Sequence, residues 1–362
     1  MCMKLAILTG GGDAPGLNAV IRAVVKTAIY QFNGQVLGVR DGFDGFVTPN
    51  GIFPLDARAV SGILPRGGTI LGTANRGNPF ARKVIRNGVE IIEDISQQIL
   101  DNIHALKLDA LIVVGGDGTL RIARELHDLG VPIVGVPKTI DNDIGGTEFT
   151  FGFDTAVNTA TEALDKLHAT AEAHHRVMVL EVMGRDAGFV ALHAGIAGGA
   201  DVILIPEIPF SFDAICSKVR QRIEYGTHFS IIAVAEGARP KGGEQVYAIA
   251  GDSVYAARLG GIGQMVGKHL QDSCGFETRV TVLGHLQRGG SPSAFDRWLA
   301  TRFGAAAVHL AVEGNFGKMV ALQSENIVAV PLEQALSIPK RVNPQGDIVR
   351  TARDLGISFG DA

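Results

Sequence analysis

Residues 110–119 read Ala-Leu-Ile-Val-Val-Gly-Gly-Asp-Gly-Thr, a short apolar run that stops at glycines and a carboxylate. A fully apolar run of this length is typical of a parallel strand that is buried on both faces. Runs of the same kind recur along the chain at 5–9, 132–136, 177–182, 202–205, 230–235 and 279–283. The sequence therefore repeats one pattern, a buried strand that ends in glycine or polar residues.

Stretches of helical length and amphipathic pattern separate these runs, at 17–30, 91–106, 120–129, 154–172, 212–222 and 255–271. An alternation of strand and helix predicts an α/β fold with parallel sheets and right-handed crossovers. In such sheets ligands bind at the carboxyl ends of the strands. Residues from 316 onward are weakly patterned and contain Pro331, Pro339 and Pro344, so we expect part of this segment to form a mobile tail.

The composition restricts the class of protein. With 362 residues, of which 46% are hydrophobic, the chain has enough apolar material for about two domains. The 33 basic and 37 acidic side chains give a net charge of −4, which excludes a general attraction to nucleic acid or to an anionic membrane. No apolar stretch reaches the ~18 residues of a membrane helix, and the N-terminus lacks the pattern of a signal peptide. The three scattered cysteines argue against a disulfide scaffold or a zinc ribbon, so we expect a soluble, cytoplasmic protein.

Two strand ends carry glycine-rich loops suited to phosphate. Gly10-Gly11-Gly12 follows the first run, and backbone N–H groups there and at the next helix can hold an anion. Pro15 occupies the place of the third glycine of a dinucleotide-binding motif, and no P-loop lysine follows, so a simple tight turn is the alternative. The loop at 115–119 is also rich in glycine and follows a strand, and it contains Asp117, whose carboxylate is an oxygen ligand suited to Mg²⁺. Helix capping by Asp117 is the alternative there.

Charged residues follow the other strand ends. On extended backbone, Asp141 and Asp143 would point to the same side as Thr139. A phosphoryl transfer needs one carboxylate to accept a proton and another near the metal, whereas a structural Asp-Asn-Asp turn is the alternative. The remaining strand-end side chains are suited to phosphate or to sugar hydroxyls: Arg176, Arg185, Arg279, Arg288, His285 and Glu236.

Taken together and in order, these motifs resemble those of the 6-phosphofructokinase family, over roughly residues 4–310. The resemblance is carried by Gly-Gly-Asp-Ala-Pro-Gly-Leu-Asn at 11–18, Gly-Gly-Asp-Gly-Thr at 115–119, Thr-Ile-Asp-Asn-Asp at 139–143, Met-Gly-Arg at 183–185 and Leu-Gly-His-Leu-Gln-Arg-Gly-Gly at 283–290. The motif at 115–119 alone also resembles NAD kinases and diacylglycerol kinases, but such enzymes have no need of the arginines at 176–185 and 279–288. A non-catalytic regulatory subunit is the other alternative, and it would be expected to lack Asp141, Asp117 or Arg185.

The resemblance implies two Rossmann-like three-layer α/β/α domains with mainly parallel sheets and an active site in the cleft between them. A phosphoryl-donor domain would comprise residues 1–150 and about 287–335, and a sugar-phosphate domain residues 151–286 and about 336–362. The implied reaction is phosphorylation of fructose 6-phosphate at the 1-hydroxyl to fructose 1,6-bisphosphate with ATP and Mg²⁺, the committed step of glycolysis. A homodimer or homotetramer with shared sites is also implied, because the family's counterparts of Arg176 and Arg279 reach in from a neighbouring subunit.

The family's roles carry over residue by residue. Asp141 is the expected base, Thr139 and Arg185 would steady the transferred phosphoryl group, and Asp117 and Asp143 are the expected Mg²⁺ positions. Contacts to the sugar phosphate are expected from Thr139, Asp141, Arg176, Met183, Gly184, Arg185, Glu236, Arg279, His285 and Arg288. Contacts to the nucleotide are expected from Gly11, Gly12, Gly116, Asp117, Gly118 and Thr119, with Arg76, Arg82 or Lys83 supplying a cation.

Two positions bear on the choice between ATP and pyrophosphate as donor. In pyrophosphate-dependent relatives an aspartate stands at the position of Gly118, where its charge and bulk oppose the α-phosphate of ATP, so glycine favours ATP. Lys138 favours pyrophosphate, because pyrophosphate users carry a lysine there and the best-known ATP users carry glycine. The missing clash is the more decisive feature, so ATP is the predicted donor and pyrophosphate the alternative. Arg22 and Lys26 match cationic effector positions of allosteric members, which leaves regulation open.

Overall fold

The computed structural model describes residues 3–74, 77–86, 89–249 and 257–361. Its strands, numbered in chain order, are β1 (Lys4–Thr9), β2 (Gln35–Val39), β3 (Ile52–Leu55), β4 (Arg82–Arg86), β5 (Val89–Glu93), β6 (Ala110–Gly115), β7 (Ile133–Thr139), β8 (Phe151–Gly152), β9 (Val177–Val182), β10 (Val202–Leu204), β11 (Ser230–Ala235), β12 (Tyr247–Ile249), β13 (Arg258–Leu259), β14 (Thr278–Val282), β15 (Lys318–Gln323) and β16 (Asn326–Pro331). Its helices are α1 (Leu17–Phe32), α2 (Ser96–Leu106), α3 (Asp117–Asp128), α4 (Phe153–His174), α5 (Phe189–Ala197), α6 (Phe212–Glu224), α7 (Ile262–Asp272), α8 (Ala294–Val312), α9 (Leu332–Ser337) and α10 (Asp347–Asp354).

The chain forms two compact units, each assembled from three segments. Unit 1 comprises Met1–Thr139, Ile144–Asp154 and Arg288–Pro339. Unit 2 comprises Ile140–Asp143, Thr155–Gln287 and Lys340–Ala362. No described helix combines the length and the apolar composition that a membrane crossing requires.

Unit 1 is built on a sheet with the strand order β16-β15-β7-β6-β1-β2-β3, in which β8 also pairs with β7. The inner pairs from β2 to β15 are parallel, and the outer pairs β2/β3 and β15/β16 are antiparallel. Alternate residues of β1 face different helices: Leu5 and Ile7 share a core with α1 and α8, whereas Ala6 and Leu8 share one with α2 and α3. Burial on both faces explains why the strand sequences are continuously apolar.

Unit 2 is built on a fully parallel sheet with the strand order β10-β11-β9-β14. Val202 and Leu204 face a core that includes residues of α6 and α7. Ile203 lies on the other face against α5, where a Cβ atom on Gly195 would come within 2.6 Å of the Ile203 Cδ1 atom. The glycine therefore permits a close approach of helix and sheet. The predicted α/β fold with mainly parallel, helix-covered sheets is confirmed.

Three sequence-based boundaries differ from the structure. Strand β7 continues beyond residue 136 to Thr139, so Thr139 belongs to the strand. The predicted helix at 91–106 is wrong in its first turn, because Val89–Glu93 pairs with Arg82–Arg86 as an antiparallel hairpin. The predicted helix at 255–271 begins only at Ile262, after glycines at 260 and 261 with φ angles of 143° and 101°; residues 255 and 256 lie outside the described part of the chain.

The expectation of a mobile tail after residue 316 is wrong. Strand β15 pairs with β7 and β16, and α9 and α10 follow. The apolar side chains from Met319 to Leu322 are buried in the cores of unit 1. The prolines obscure this pattern in the sequence, because Pro331 stands at the boundary of β16 and α9 and Pro339 follows α9, where neither interrupts an element.

The structure contains a disulfide that the cysteine spacing did not indicate. Cys216 on α6 and Cys274, two residues after α7, are bonded, and their Cα atoms are 6.2 Å apart. The two helices share one core on the same face of the unit 2 sheet, which brings together cysteines separated by 58 residues. Sequence spacing carries no information on that contact.

Candidate functional site

The two glycine loops predicted to bind phosphate lie against each other in unit 1. A Cβ atom on Gly10 would lie 2.6 Å from the Thr119 Cγ2 atom, and one on Gly115 would collide with the same side chain. Gly11 adopts a left-handed backbone with φ of 75°. The Thr73 hydroxyl donates to the Gly11 carbonyl oxygen at 2.5 Å, which fixes the outer side of the loop. Only glycine permits this packing. In the first loop, the Gly10 and Gly11 N–H groups donate to the Val114 and Ala74 carbonyl oxygens at 2.9 and 3.2 Å.

The loop between β6 and α3 presents a carboxylate beside open space. Gly116 precedes α3 with extended backbone, and Asp117 is the first residue of the helix. The Asp117 carboxylate pairs with the Arg121 guanidinium at 2.9 Å and is half-exposed. A Cβ atom on Gly118 would meet no described heavy atom within 4 Å. The loop thus offers room at Gly118, and the Asp117 oxygens are donors of the type that Mg²⁺ prefers.

Two cationic side chains contact the first glycine loop. Lys138 is buried, and its Nζ atom donates to the Gly12 carbonyl oxygen. The Arg288 guanidinium donates to the Asp13 carbonyl oxygen at 3.0 Å, and a Cβ atom on Gly12 would lie 2.6 Å from its Nη1 atom. An anion bound at this loop would meet the charge of both side chains.

The acidic segment after β7 differs from its predicted conformation. Asp141 is 4% exposed, and Asn142 adopts a left-handed backbone with φ of 54°. The Asp143 carbonyl oxygen accepts the Lys340 N–H at 2.8 Å. The expectation that both carboxylates point the same way is wrong in its premise, because residues 140–143 do not continue the extended strand. The turn places Asp141 in a buried position and leaves Asp143 partly exposed.

In unit 2, the loop after β9 brings together three residues predicted for the site, which are Arg185, Glu236 and Asp141. Arg185 has a left-handed φ of 51°, which is uncommon for a residue with a side chain. The Glu236 carboxylate, directly after β11, accepts the Arg185 N–H at 3.0 Å. Burial raises the pKa of the Glu236 carboxyl, the Asp141 charge raises this pKa further, and the Arg185 N–H opposes both. Glu236, Asp141 and Arg185 therefore form one electrostatically coupled group, with Met183 and Gly184 on the same loop.

A second carboxylate, which sequence reasoning missed, holds the far end of this loop. The Glu207 Oε1 atom accepts the Gly188 N–H at 3.0 Å and the Val342 N–H at 2.9 Å. Gly188 directly precedes α5, and Val342 belongs to the C-terminal segment of unit 2. The available signal was its place three residues after β10, at a strand end of the kind inspected elsewhere.

The arginines at positions 176 and 279 share a carboxylate that was also missed. The Glu277 Oε1 atom accepts hydrogen bonds from Arg176 Nε at 2.7 Å and from Arg279 Nη2 at 2.9 Å. The hydrogen bond from Arg176 lowers the pKa of the exposed Glu277 carboxyl, with smaller Coulombic contributions from both arginines. Glu277 thus holds the two guanidiniums close to each other, Arg176 directly before β9 and Arg279 near the start of β14.

The remaining predicted residues are distributed more widely. Arg82 pairs with Asp44 at 3.3 Å and Lys83 pairs with Glu90 at 2.7 Å, so the hairpin carries both cations in ion pairs. Arg76 lies outside the described residues. His285 is exposed on a short 3₁₀ helix at Gly284–Arg288.

The geometry therefore provides, at strand ends, backbone cradles and cations for phosphate together with buried and exposed carboxylates. Enzymes that transfer phosphoryl groups use such a combination, because positioning and charge stabilisation provide most of their catalysis. The oxygen donors of Asp117 and Asp143 fit the preference of Mg²⁺ for carboxylates.

Comparison with known proteins gives the family. The phosphofructokinase model matches residues 4–311. An ATP-dependent 6-phosphofructokinase of Chloroflexus aurantiacus is 55% identical over 359 residues, 99% of this chain and 98% of that protein. A pyrophosphate–fructose 6-phosphate 1-phosphotransferase of Streptomyces coelicolor is 51% identical over 360 residues, 99% of this chain and 100% of that protein. A solved structure of phosphofructokinase from Saccharomyces cerevisiae superimposes with a TM-score of 0.78 at 33% identity, over 92% of this chain and 45% of the longer yeast chain.

The chain belongs to the phosphofructokinase family, and the resemblance seen in the sequence is confirmed.

Proposed function

We propose that the protein transfers the γ-phosphoryl group of ATP to the 1-hydroxyl of fructose 6-phosphate, as an ATP-dependent 6-phosphofructokinase. The observation that carries this proposal is the group formed by Asp141, Glu236 and Arg185, in which a buried carboxylate lies beside a second acid and a strained arginine. The full-length similarity to the Chloroflexus enzyme supports the same reaction.

Each residue of this group has a task in the proposed reaction. The Asp141 carboxylate accepts the proton of the sugar 1-hydroxyl as that oxygen attacks phosphorus. The Arg185 guanidinium stabilises the negative charge that spreads over the transferred phosphoryl oxygens, assisted by Thr139. Glu236, with Met183 and Gly184, binds the sugar hydroxyls. Burial raises the pKa of the Glu236 carboxyl, and hydrogen bonds donated by sugar hydroxyls would stabilise its ionised form.

Two separate sets of residues bind the 6-phosphate of the sugar and the phosphates of the donor. His285, Arg288, Arg176 and Arg279 bind the 6-phosphate, the last two from a neighbouring subunit of a homodimer or homotetramer. Gly11, Gly12, Gly116 and Thr119 cradle the donor phosphates, and Arg82 or Lys83 could leave its present ion pair to join them. Mg²⁺ held by Asp117 and Asp143 would neutralise phosphate charge; Asp117 would then exchange its bond to Arg121 for the ion.

The donor specificity follows from local space and local charge. The open volume at Gly118 leaves room for the α-phosphate of ATP. The Lys138 Nζ atom, the feature that favours pyrophosphate, is already bonded to the Gly12 carbonyl oxygen. Pyrophosphate stays the second candidate donor, because the Streptomyces relative named for it is 51% identical. Unit 1 would be the donor domain and unit 2 the sugar-phosphate domain of a cytoplasmic enzyme of glycolysis.

Initial rates with fructose 6-phosphate and Mg²⁺, measured separately with ATP and with pyrophosphate at matched concentrations, test the reaction and the donor together. We expect turnover with ATP and little or none with pyrophosphate. Turnover with pyrophosphate alone would reverse the donor assignment and make Lys138 the determinant. Inactivity with both donors, in a folded protein, would overturn the proposed reaction.

A further inference from the structure

Cys216, His269 and Cys274 form a compact cluster in unit 2, and none of the three is assigned to the reaction. The two sulfur atoms and an imidazole nitrogen all lie within 4.8 Å of one another, and the sulfurs are bonded. His269 lies in the last turn of α7, and its ring stacks on Phe212 with centroids 4.3 Å apart. The stacking holds the imidazole beside both sulfur atoms.

The two cysteines differ in their access to solvent. Cys216 is 2% exposed and packs in the apolar core between the sheet and helices α6 and α7. Cys274 is partly exposed in the turn between α7 and β14, flanked by the exposed Ser273 and Gly275. A reagent in solution therefore reaches Cys274 first, and Cys216 can react only with a sulfur already inside the cluster.

We propose that Cys216 and Cys274 are a site of reversible thiol oxidation, in which Cys274 attacks the oxidant, Cys216 resolves the intermediate and His269 accepts the proton. Thiolates, not thiols, are the reacting species, and an imidazole next to a thiol favours the thiolate. The sequence places this histidine five residues before the attacking cysteine, on the helix that leads to its turn.

The oxidant is a low-molecular-weight disulfide. The Cys274 thiol gives its proton to His269, and the thiolate attacks one sulfur of the small disulfide, so that one small thiolate leaves and takes up a proton. His269, having passed the first proton to the leaving thiolate, then takes the proton of the Cys216 thiol. The Cys216 sulfur attacks the Cys274 sulfur, forms the protein disulfide and displaces the second small thiolate, which takes up this proton. Two protein thiols and one small disulfide become one protein disulfide and two small thiols, so atoms and electrons balance.

The bond restrains the turn at 273–277. This turn ends at Glu277, the carboxylate that holds Arg176 and Arg279. The cross-link ties the turn to α6, which removes conformational freedom that the reduced chain has there. Amide hydrogen exchange in the peptide covering 273–279 measures this directly: we expect several-fold slower exchange in the oxidised protein, and equal exchange would contradict the restraint.

The order of reaction is tested with oxidised glutathione as the probe, in full-length protein carrying Cys2→Ser so that only the pair remains. We expect Cys216→Ser to accumulate glutathione on Cys274, because no resolving thiol is present. The matched variant Cys274→Ser should be labelled at least about tenfold more slowly, because its remaining thiol is buried. His269→Gln should slow the first step by about tenfold and leave the final cross-link intact.

Peptide mapping of the wild-type chain under non-reducing conditions tests the proposal without any substitution, in case a variant folds poorly. A cross-linked peptide pair that forms with oxidised glutathione and disappears with excess reduced thiol supports the site. Equal labelling of the two single variants, or two free thiols after prolonged exposure, would overturn it. A stoichiometric zinc ion bound to the reduced protein would overturn it as well, because it would make the cluster a metal site.

Discussion

Asp141 is the residue on which the proposed chemistry depends most. Replacing it by asparagine keeps its size and removes its capacity to accept the hydroxyl proton, so we expect kcat to fall by about 10²–10⁴-fold. The Michaelis constant for fructose 6-phosphate should change little, and thermal unfolding should show a folded protein. Asp213→Asn, at an exposed carboxylate in the first turn of α6, is the matched control and should retain full activity. Near-normal turnover of Asp141→Asn would remove Asp141 from the role of base.

Glu236 combines a functional role with a cost in stability. Its pKa is raised in the folded state above the reference value of 4.5, so folding loses stability as pH rises through that raised pKa. Glu236→Gln removes the charge but keeps an oxygen that can accept the Arg185 N–H. We expect the variant to unfold at a higher temperature than wild type at pH 7.5 and to bind fructose 6-phosphate more weakly.

The stability gain of Glu236→Gln has a defined pH window. It should be complete above the raised pKa and vanish below the reference value of 4.5, where the wild-type carboxyl is protonated in both states. Unfolding temperatures recorded from pH 4 to pH 8 measure it. A gain that does not depend on pH would show that the charge of Glu236 is not its origin.

Gly118 allows a direct test of donor choice. A Cβ atom added there meets no described heavy atom within 4 Å, so a side chain can start at this position without a collision at its first atom. We expect Gly118→Asp to lower kcat/KM for ATP by at least about tenfold, the effect of one unfavourable charge contact, while activity with pyrophosphate does not fall. Gly118→Ala, which adds bulk without charge, should stay close to wild type. Equal loss in both variants would assign the effect to bulk alone.

At the residue scale, motifs indicated candidate site residues but not the supporting contacts. Asp117, Asp141 and Arg185 were chosen because they stand in short polar motifs at strand ends. Glu207 and Glu277 stand outside such motifs, and both have partners distant in the sequence, Val342 for Glu207 and Arg176 for Glu277. The role of such a carboxylate depends on the contacts that the fold gives it, and the sequence alone does not show those contacts.

At the scale of elements, substitutions in strand β15 test how much this strand stabilises the unit 1 sheet. Met319 on β15 is fully buried and packs against Gly135 of β7, where an added Cβ atom would lie 3.0 Å from the Met319 Cβ atom. Met319→Ala should therefore lower the free energy of unfolding by about 2–5 kcal/mol, measured by denaturant titration. Ile338→Ala, at a side chain that is 75% exposed, should change it by less than about 0.5 kcal/mol. Similar small effects of both variants would mean that β15 contributes little to the core.

The elements that the sequence predicted well are those buried on both faces, such as β6 and β9. The hairpin of β4 and β5 was missed because its residues are largely exposed and its apolar side chains do not alternate regularly. The turn at the αL residue Asn142 was considered only as the alternative to an extended segment, because nothing in Thr-Ile-Asp-Asn-Asp decides between the two. Local propensity cannot decide conformations that tertiary contacts impose.

At the scale of the whole molecule, the proposed sharing of sites between subunits predicts complementation between two impaired variants. Arg279→Ala should raise the Michaelis constant for fructose 6-phosphate by about 10–100-fold, the loss expected for one charge-assisted hydrogen bond. Asp141→Asn should be inactive for a different reason. When the two are dissociated, mixed and reassembled, some sites combine an intact Asp141 with an intact Arg279 from a neighbour.

We expect measurable activity at low fructose 6-phosphate in the mixture and in neither variant alone. Mixing each variant with itself under the same treatment is the control. Absence of recovery, with mixed assembly verified by differently tagged chains, would show that each site is built from one subunit.

The position of β15 also affects how the chain is made. Its partner positions on β7, Val134 and Gly135, are synthesised long before it, because β7 ends at residue 139 and β15 begins at residue 318, a gap of 318 − 139 = 179 positions. At roughly 5–20 residues per second, a ribosome needs about 10–35 s to cover that gap. During this interval the nascent chain carries an unpaired sheet edge, which is a template for wrong pairing. Incomplete chains should therefore pair wrongly at this edge more often than complete chains do.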